Sequence, residues 1–184
     1  PKRVSVAMSM HIGAPAVACV KKGTEVKVGD VIGTAGGFIS APVHSPVSGK
    51  VFAVDELMMP NGNKTQVVVI DTDGRQTVSE NVKPPVVTDY ASFIEAIKAS
   101  GLVGLGGAGF PASVKLSPKN LDDVGTLIIN GAESEPNITT DYREMIENGA
   151  DVIEGAKATH GVQKKSLSKA LQARKFLRAA CRQM

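Results

Sequence analysis

Residues 26–54 read VKVGDVIGTAGGFISAPVHSPVSGKVFAV. Apolar residues alternate with polar ones through VKVGDVIG, and Gly29-Asp30 interrupts them as a turn would. Two further short apolar runs flank Ser48-Gly49. The same habit extends outward in both directions. RVSVAM (3–8) alternates, and KTQVVVIDTDG (64–74) is a β-branched run closed by Asp73-Gly74. Short strands joined by close glycine turns predict an all-β small barrel or sandwich over residues 1–84.

The period changes after SENVKPPVVTD (79–89). Pro84-Pro85 fits neither a helix interior nor a central strand, so this stretch reads as a linker. Tyr90, Phe93, Ile94 and Ile97 then recur at helical spacing, with Thr88 or Asp89 as the cap and Gly101 as the stop. Pro111 suits the first turn of a short helix. VGTLIING (124–131) reads as a buried strand, and residues 139–161 as helix interrupted near Gly149. The order helix, glycine loop, helix, strand, acidic loop, helix predicts an α/β arrangement for 85–162. The fold class is therefore mixed α+β, an all-β unit followed by an α/β unit.

Bulk composition excludes several classes. Of the 184 residues, 42% are hydrophobic and 21% charged, ordinary values for a globular protein. No apolar run reaches the ~18 residues of a membrane span, and no charged-then-apolar leader is visible. Cys19 and Cys181 stand alone, without metal-ligand spacing or a disulfide framework. Net charge is +3, but residues 163–184 carry seven Lys and Arg and no acid, so the remainder is mildly acidic. This basic tail reads as a solvated helix, a membrane-surface contact or a disordered segment. It is too local and too poor in aromatics for a nucleic-acid footprint.

Chemistry concentrates in two places. GLVGLGGAGFPASVKL (101–116) holds five glycines and a single charge, Lys115. Glycines let the backbone turn through positive φ and let a ligand approach the main chain. A helix start behind them adds amides and partial positive charge, and Lys115 adds a full one, so the parts of a phosphate cradle are present. The P-loop pattern is absent, and GLGGAG (104–109) follows a helix rather than the strand a dinucleotide fingerprint requires. Tight backbone packing at a turn is the plain alternative. NGAESEP (130–136) is placed at the carboxyl end of the predicted strand, where α/β sheets bind ligands. Asn130 offers donor and acceptor, while Glu133 and Glu135 offer acceptors for a ring NH edge or ribose hydroxyls. For the two acids alone, a solvated loop is the alternative.

Together, GLGGAGFPASVKL and LIINGAESEP resemble the flavin- and NADH-binding module of the flavin-carrying subunit of respiratory complex I. They are more similar still to the C subunit of the Rnf electron-transport complex. HIGAPAVACVKKGTEVKVGDVIGTAGGFISAPVHSPVSGKV (11–51) resembles the N-terminal region of that protein. It also resembles the barrel-sandwich hybrid of biotinyl and lipoyl carriers. The carrier's acylated lysine is missing from the tip, which reads GGFISAP (36–42), so a docking or structural module is implied.

The resemblance implies an FMN and NADH site. Gly106, Gly107 and Gly109 would form the backbone bed of the flavin, and Lys115 would reach its phosphate or ring. Asn130 and Glu133 would lie along the flavin, with Ser134 where Rnf-type proteins usually carry cysteine. Phe110 would stack on the nicotinamide or adenine of NADH, and Glu135 would hold the polar edge of the dinucleotide. The flavin would carry out hydride chemistry while the protein binds and tunes it. Leu105 replaces the arginine of the complex I pattern. The family continues into further strands, helices and two cysteine-rich cluster motifs. A cluster needs four thiolates and this chain has two cysteines, so no iron–sulfur centre is expected here. The expectation is therefore an N-terminal fragment: a barrel domain (1–84), part of an α/β flavin domain (85–162) and a basic tail (163–184). Only the first half of the pocket would be present, with weak or no flavin retention and little activity alone. The whole protein would pass electrons between NADH and an iron–sulfur chain, cytoplasmic and peripheral on the inner face of the membrane through partner subunits. Two alternatives stay open: a non-catalytic docking module, and a related flavoprotein reductase such as one for cobalamin.

Other residues carry less. His11 and His44 lack a third metal ligand, and Met8 and Met10 are expected on one strand face as packing residues.

Overall fold

The computed structural model describes residues 1–163 apart from 61, 106, 107, 134 and 135. Gly106, Gly107, Ser134, Glu135, Cys181 and the basic stretch from 164 onward thus lie outside the described residues.

Among the described residues, seven strands occupy the first part of the chain: β1 (Arg3–Ala7), β2 (Val17–Ala18), β3 (Glu25–Val26), β4 (Val31–Thr34), β5 (Val43–His44), β6 (Gly49–Met58) and β7 (Lys64–Thr72). They form an antiparallel sheet of order β1-β7-β6-β3 and a second of order β2-β4-β5. This is a barrel-sandwich hybrid. Alternation sets the register: Val6 lies opposite Val68, and Val51 opposite Ile70, so one face of each strand meets in the core. Met8, Ile32, Val51, Val68 and Ile70 are essentially inaccessible there. Each is worth roughly 1.5–3 kcal/mol of burial. Met8 and Met10 part company. The strand ends at Ala7, and beyond it Met8 turns into the core while Met10 faces outward.

The described residues then form four α-helices: α1 (Tyr90–Ser100), α2 (Ala112–Lys115), α3 (Thr140–Glu147) and α4 (Gly149–Gln163). α1 opens on a capping box, in which Asp89 accepts the Ser92 amide at 2.7 Å and Ser92 Oγ accepts the Asp89 amide at 3.0 Å. Gly101 closes it in the left-handed conformation, φ 70°. Phe93 and Ile97 bury against Ala158 of α4, with Leu102, Ala112 and Leu116 beside them. The Tyr90 hydroxyl donates to the Leu116 carbonyl, tying the start of α1 to the end of α2.

The strand expected over 124–131 does not form. Among the described residues nothing pairs with this segment, and Ile128 and Ile129 are 82% and 56% exposed. A buried parallel strand needs ladder partners on its edges and cover on its faces, and an apolar run alone supplies neither.

Candidate functional site

The glycine-rich stretch is a closed loop. Val103 and Pro111 form an antiparallel bridge, with Gly104 N–H donating to Phe110 O at 3.0 Å and Ala112 N–H to Leu102 O at 2.9 Å. Gly104 and Phe110, near the two ends of the stretch, thus lie side by side. Pro111 then starts α2, where its fixed φ of −58° suits a helix start. That helix is a single turn, so its dipole is small, and its one charged residue is Lys115 at the last position. Lys115 ends the turn, is exposed, and makes no ion pair among the described residues. Phe110 is 37% exposed at the loop's return, leaving ring surface open for stacking.

The far shoulder of the loop touches the barrel. Ile12 N–H donates to Ala108 O at 3.2 Å. Gly109 sits at φ 66°, and a Cβ there would lie 3.0 Å from both His11 Cα and Met10 O. At the near end, a Cβ on Gly101 would lie 2.5 Å from Pro42 O and 3.3 Å from His44 Nδ1. A side chain at Gly101 would overlap the Pro42 carbonyl, and one at Gly109 would be strained by the left-handed backbone and tight against residues 10–11. His44 is half-buried here, and desolvation holds its imidazole below the ordinary pKa, although the neighbouring Ala99 carbonyl favours the charged ring. The histidines considered as a metal pair instead each serve the backbone, His11 contacting Ala41 and His44 facing Ala99. Among the described residues no group of three metal-ligating side chains gathers.

The second constellation is built differently from its sequence reading. Asn130 Oδ1 accepts the Ala132 amide at 3.0 Å, closing a local turn. Glu133 accepts the Tyr142 amide at 2.8 Å and the Asp141 amide at 3.3 Å, the first-turn donors of α3. Thr139, at the cap position, makes no such bond, so a carboxylate six residues upstream performs the capping. Gly131 lies flat against Met145 of α3. Gly104, Gly109, Phe110 and Lys115 thus form one group, and Asn130 and Glu133 another around α3. Among the described residues no hydrogen bond or ion pair joins the two. No local pattern reports such a distant cap, which is why sequence reasoning missed it. The barrel contacts of Gly101 and Gly109 escaped it as well. Their only sequence trace is glycine itself.

A cleft of about 470 Å³ lies elsewhere, on the barrel, between Lys27, Lys50 and Arg75 on one hand and Glu25, Asp71 and Asp73 on the other. Two of its acids are already engaged, Asp71 by Arg3 at 2.5 Å and Asp73 by Ser48 at 2.6 Å.

Comparison with known proteins places both halves. Residues 1–75 match the family described as RnfC Barrel sandwich hybrid domain. Residues 97–172 match the Nuo51 FMN-binding domain, a span that contains the whole glycine loop, Lys115 and the 130–135 segment and reaches into the basic stretch. The chain is 41% identical over 160 residues to the C subunit of the Na(+)-translocating ferredoxin:NAD(+) oxidoreductase complex of Acetobacterium woodii, covering 85% of this chain and 36% of that protein. It is 38% identical over 162 residues to the C subunit of the proton-translocating ferredoxin:NAD(+) oxidoreductase complex of Clostridium ljungdahlii, covering 85% and 35%. The C subunit of an ion-translocating oxidoreductase complex of Pseudomonas aeruginosa is 37% identical over 158 residues, covering 84% and 20%. The chain therefore spans about a third or less of the length of these relatives.

Proposed function

For a chain that belongs to the Rnf complex C subunits, joining their barrel sandwich hybrid domain to a Nuo51-type FMN-binding domain, we propose a role in flavin-mediated electron transfer. The glycine loop serves as the flavin bed and Lys115 as the cation for its phosphate. The observation that carries this is the coincidence of the FMN-binding match with a closed, backbone-rich loop beside an exposed lysine that has no ion-pair partner among the described residues. The flavin, when bound, supplies the redox centre. The protein's own work is to approach it with main-chain atoms, balance phosphate charge with Lys115, and offer the Phe110 ring as a stacking face.

The dinucleotide belongs to the same proposal. NADH stacks on Phe110, and Glu135 holds its polar edge. Asn130 and Glu133 flank the flavin through whatever acceptor capacity their local bonds leave. Electrons pass between NADH and an iron–sulfur chain within a membrane-bound assembly of further subunits. No helix among the described residues is long and apolar enough to cross a membrane. Attachment on the inner face through those subunits is the remaining part of the proposal. The division into a barrel unit to residue 84 and a flavin unit beyond it is retained here.

Flavin fluorescence tests the reading. Titration of FMN with the chain should quench saturably, and Lys115→Ala should weaken binding by roughly tenfold, as expected for loss of a charge-assisted phosphate contact. An unchanged affinity in Lys115→Ala would remove Lys115 from the site, and absence of saturable quenching would remove the site itself.

A further inference from the structure

The barrel is more than a neighbour of the glycine loop. From the contacts at Gly101 and Gly109 we infer that the barrel sets the conformation of the flavin loop, with His11 as the positioning residue. This rests on the reading of that loop as the flavin bed.

The contacts form one continuous series. His11 lies just beyond β1, in a segment without strand pairing. Its ring holds that segment from both sides. Nδ1 lies 3.1 Å from the Ile12 carbonyl oxygen, and Nε2 lies 3.3 Å from the Ala41 carbonyl oxygen. The Ala41 N–H also lies 3.1 Å from Nε2, so the ring meets Ile12 on one side and Ala41 on the other. Ala41 is buried in the segment leading to β5, so the imidazole pins residues 11–12 to the barrel core. The next contact leaves the barrel: the Ile12 amide donates to Ala108 O, and Gly109 rests closely on the His11 and Met10 backbone, where a Cβ would lie 3.0 Å from both.

The other end of the loop meets the same surface. Gly101 lies against Pro42 O and His44, which follow closely on Ala41 in the chain. Barrel segment 41–44 therefore touches the chain just before the loop opens, and segment 10–12 touches it at Ala108 and Gly109, just before it closes. The bridge between Val103 and Pro111 closes it. A glycine loop left to itself samples many backbone states, and ordering it on ligand binding costs affinity. Fixing it beforehand removes that cost, which gives the barrel a purpose that needs no carrier lysine.

Amide hydrogen exchange and FMN titration on the same variants test this. In His11→Ala the Ile12 and Gly104 amides should lose protection while Val68 in β7 keeps its own, and the FMN dissociation constant should rise about tenfold or more. His11→Gln, whose side-chain amide keeps both a donor and an acceptor for Ile12 and Ala41, should restore both. If Val68 also loses protection, Gly109→Ala reads the contact from the loop side and should expose the Ile12 amide alone. Protection of Ile12 and Gly104 unchanged in these variants overturns the inference. So does an exposed Ile12 amide with FMN affinity equal to that of the unmodified chain. If the amides respond as stated but the unmodified chain binds no FMN, the barrel's hold on the loop stands and the flavin reading fails.

Discussion

Gly101 and Gly74 provide a matched pair that measures how firmly the helical half is seated on the barrel. Their φ values are nearly equal, 70° and 71°. A Cβ on Gly74 would meet nothing within 4 Å, whereas on Gly101 it would lie 2.5 Å from the Pro42 carbonyl oxygen. An L-residue in the left-handed region costs roughly 1–2 kcal/mol, and both substitutions incur that. Gly101→Ala must also relieve an overlap with a main-chain atom, which cannot rotate aside. Overpacking of that kind typically adds about 1–3 kcal/mol. Gly74→Ala is thus expected to cost about 1–2 kcal/mol and Gly101→Ala about 2–5 kcal/mol. Urea unfolding, followed by circular dichroism, gives both numbers from the midpoints if the slopes match. Equal costs would mean that the end of α1 does not rest on the barrel, and the barrel's hold on the loop would fail with it.

Ile97→Ala in the α1–α4 contact should destabilise by about 2–5 kcal/mol, read from the same unfolding curves, because Ile97 is fully enclosed. Glu133→Ala should cost about 1 kcal/mol and raise amide exchange at Tyr142; an unaltered Tyr142 amide would contradict the capping role. Stability should also fall as pH drops through the range just below 6.5. There the unfolded chain protonates His44 at its ordinary value while the folded chain resists, so the unfolded state binds more protons. His44→Gln should flatten that part of the stability profile, and a profile identical to that of the unmodified chain would exclude His44 as its source. The carboxylates of Asp71, Asp73 and Asp89 are held below their ordinary range by hydrogen bonds from Arg3, Ser48 and Ser92 respectively, so their contributions disappear only at more acid pH.

The legible parts of the fold were those written locally. Period-two alternation placed β1 and β4, and a β-branched run placed β7, because one face of each strand had to be dry. Asp89 and Gly101 marked both ends of α1 because a helix end exposes amides and carbonyls that particular residues satisfy. The glycine loop and its proline were likewise visible in the chain. What escaped was written at a distance. The barrel's grip on the loop uses the main chain of Met10–Ile12 and the Ala41 amide, and backbone atoms leave no mark in the sequence. Glu133 looked like a free acid because its partners, the Asp141 and Tyr142 amides, lie eight and nine residues away. Residues 124–131 have the composition of a strand, but pairing belongs to the neighbours rather than to the segment.

The claim on which the functional account rests is that FMN lies on the glycine loop. Amide chemical-shift mapping during FMN titration tests it directly. The expected result is a saturable shift at Gly104, Ala108, Gly109, Phe110 and Lys115, with the barrel cleft around Asp71 and Arg75 silent. Shifts confined to that cleft, with the loop amides unmoved at saturation, would contradict it.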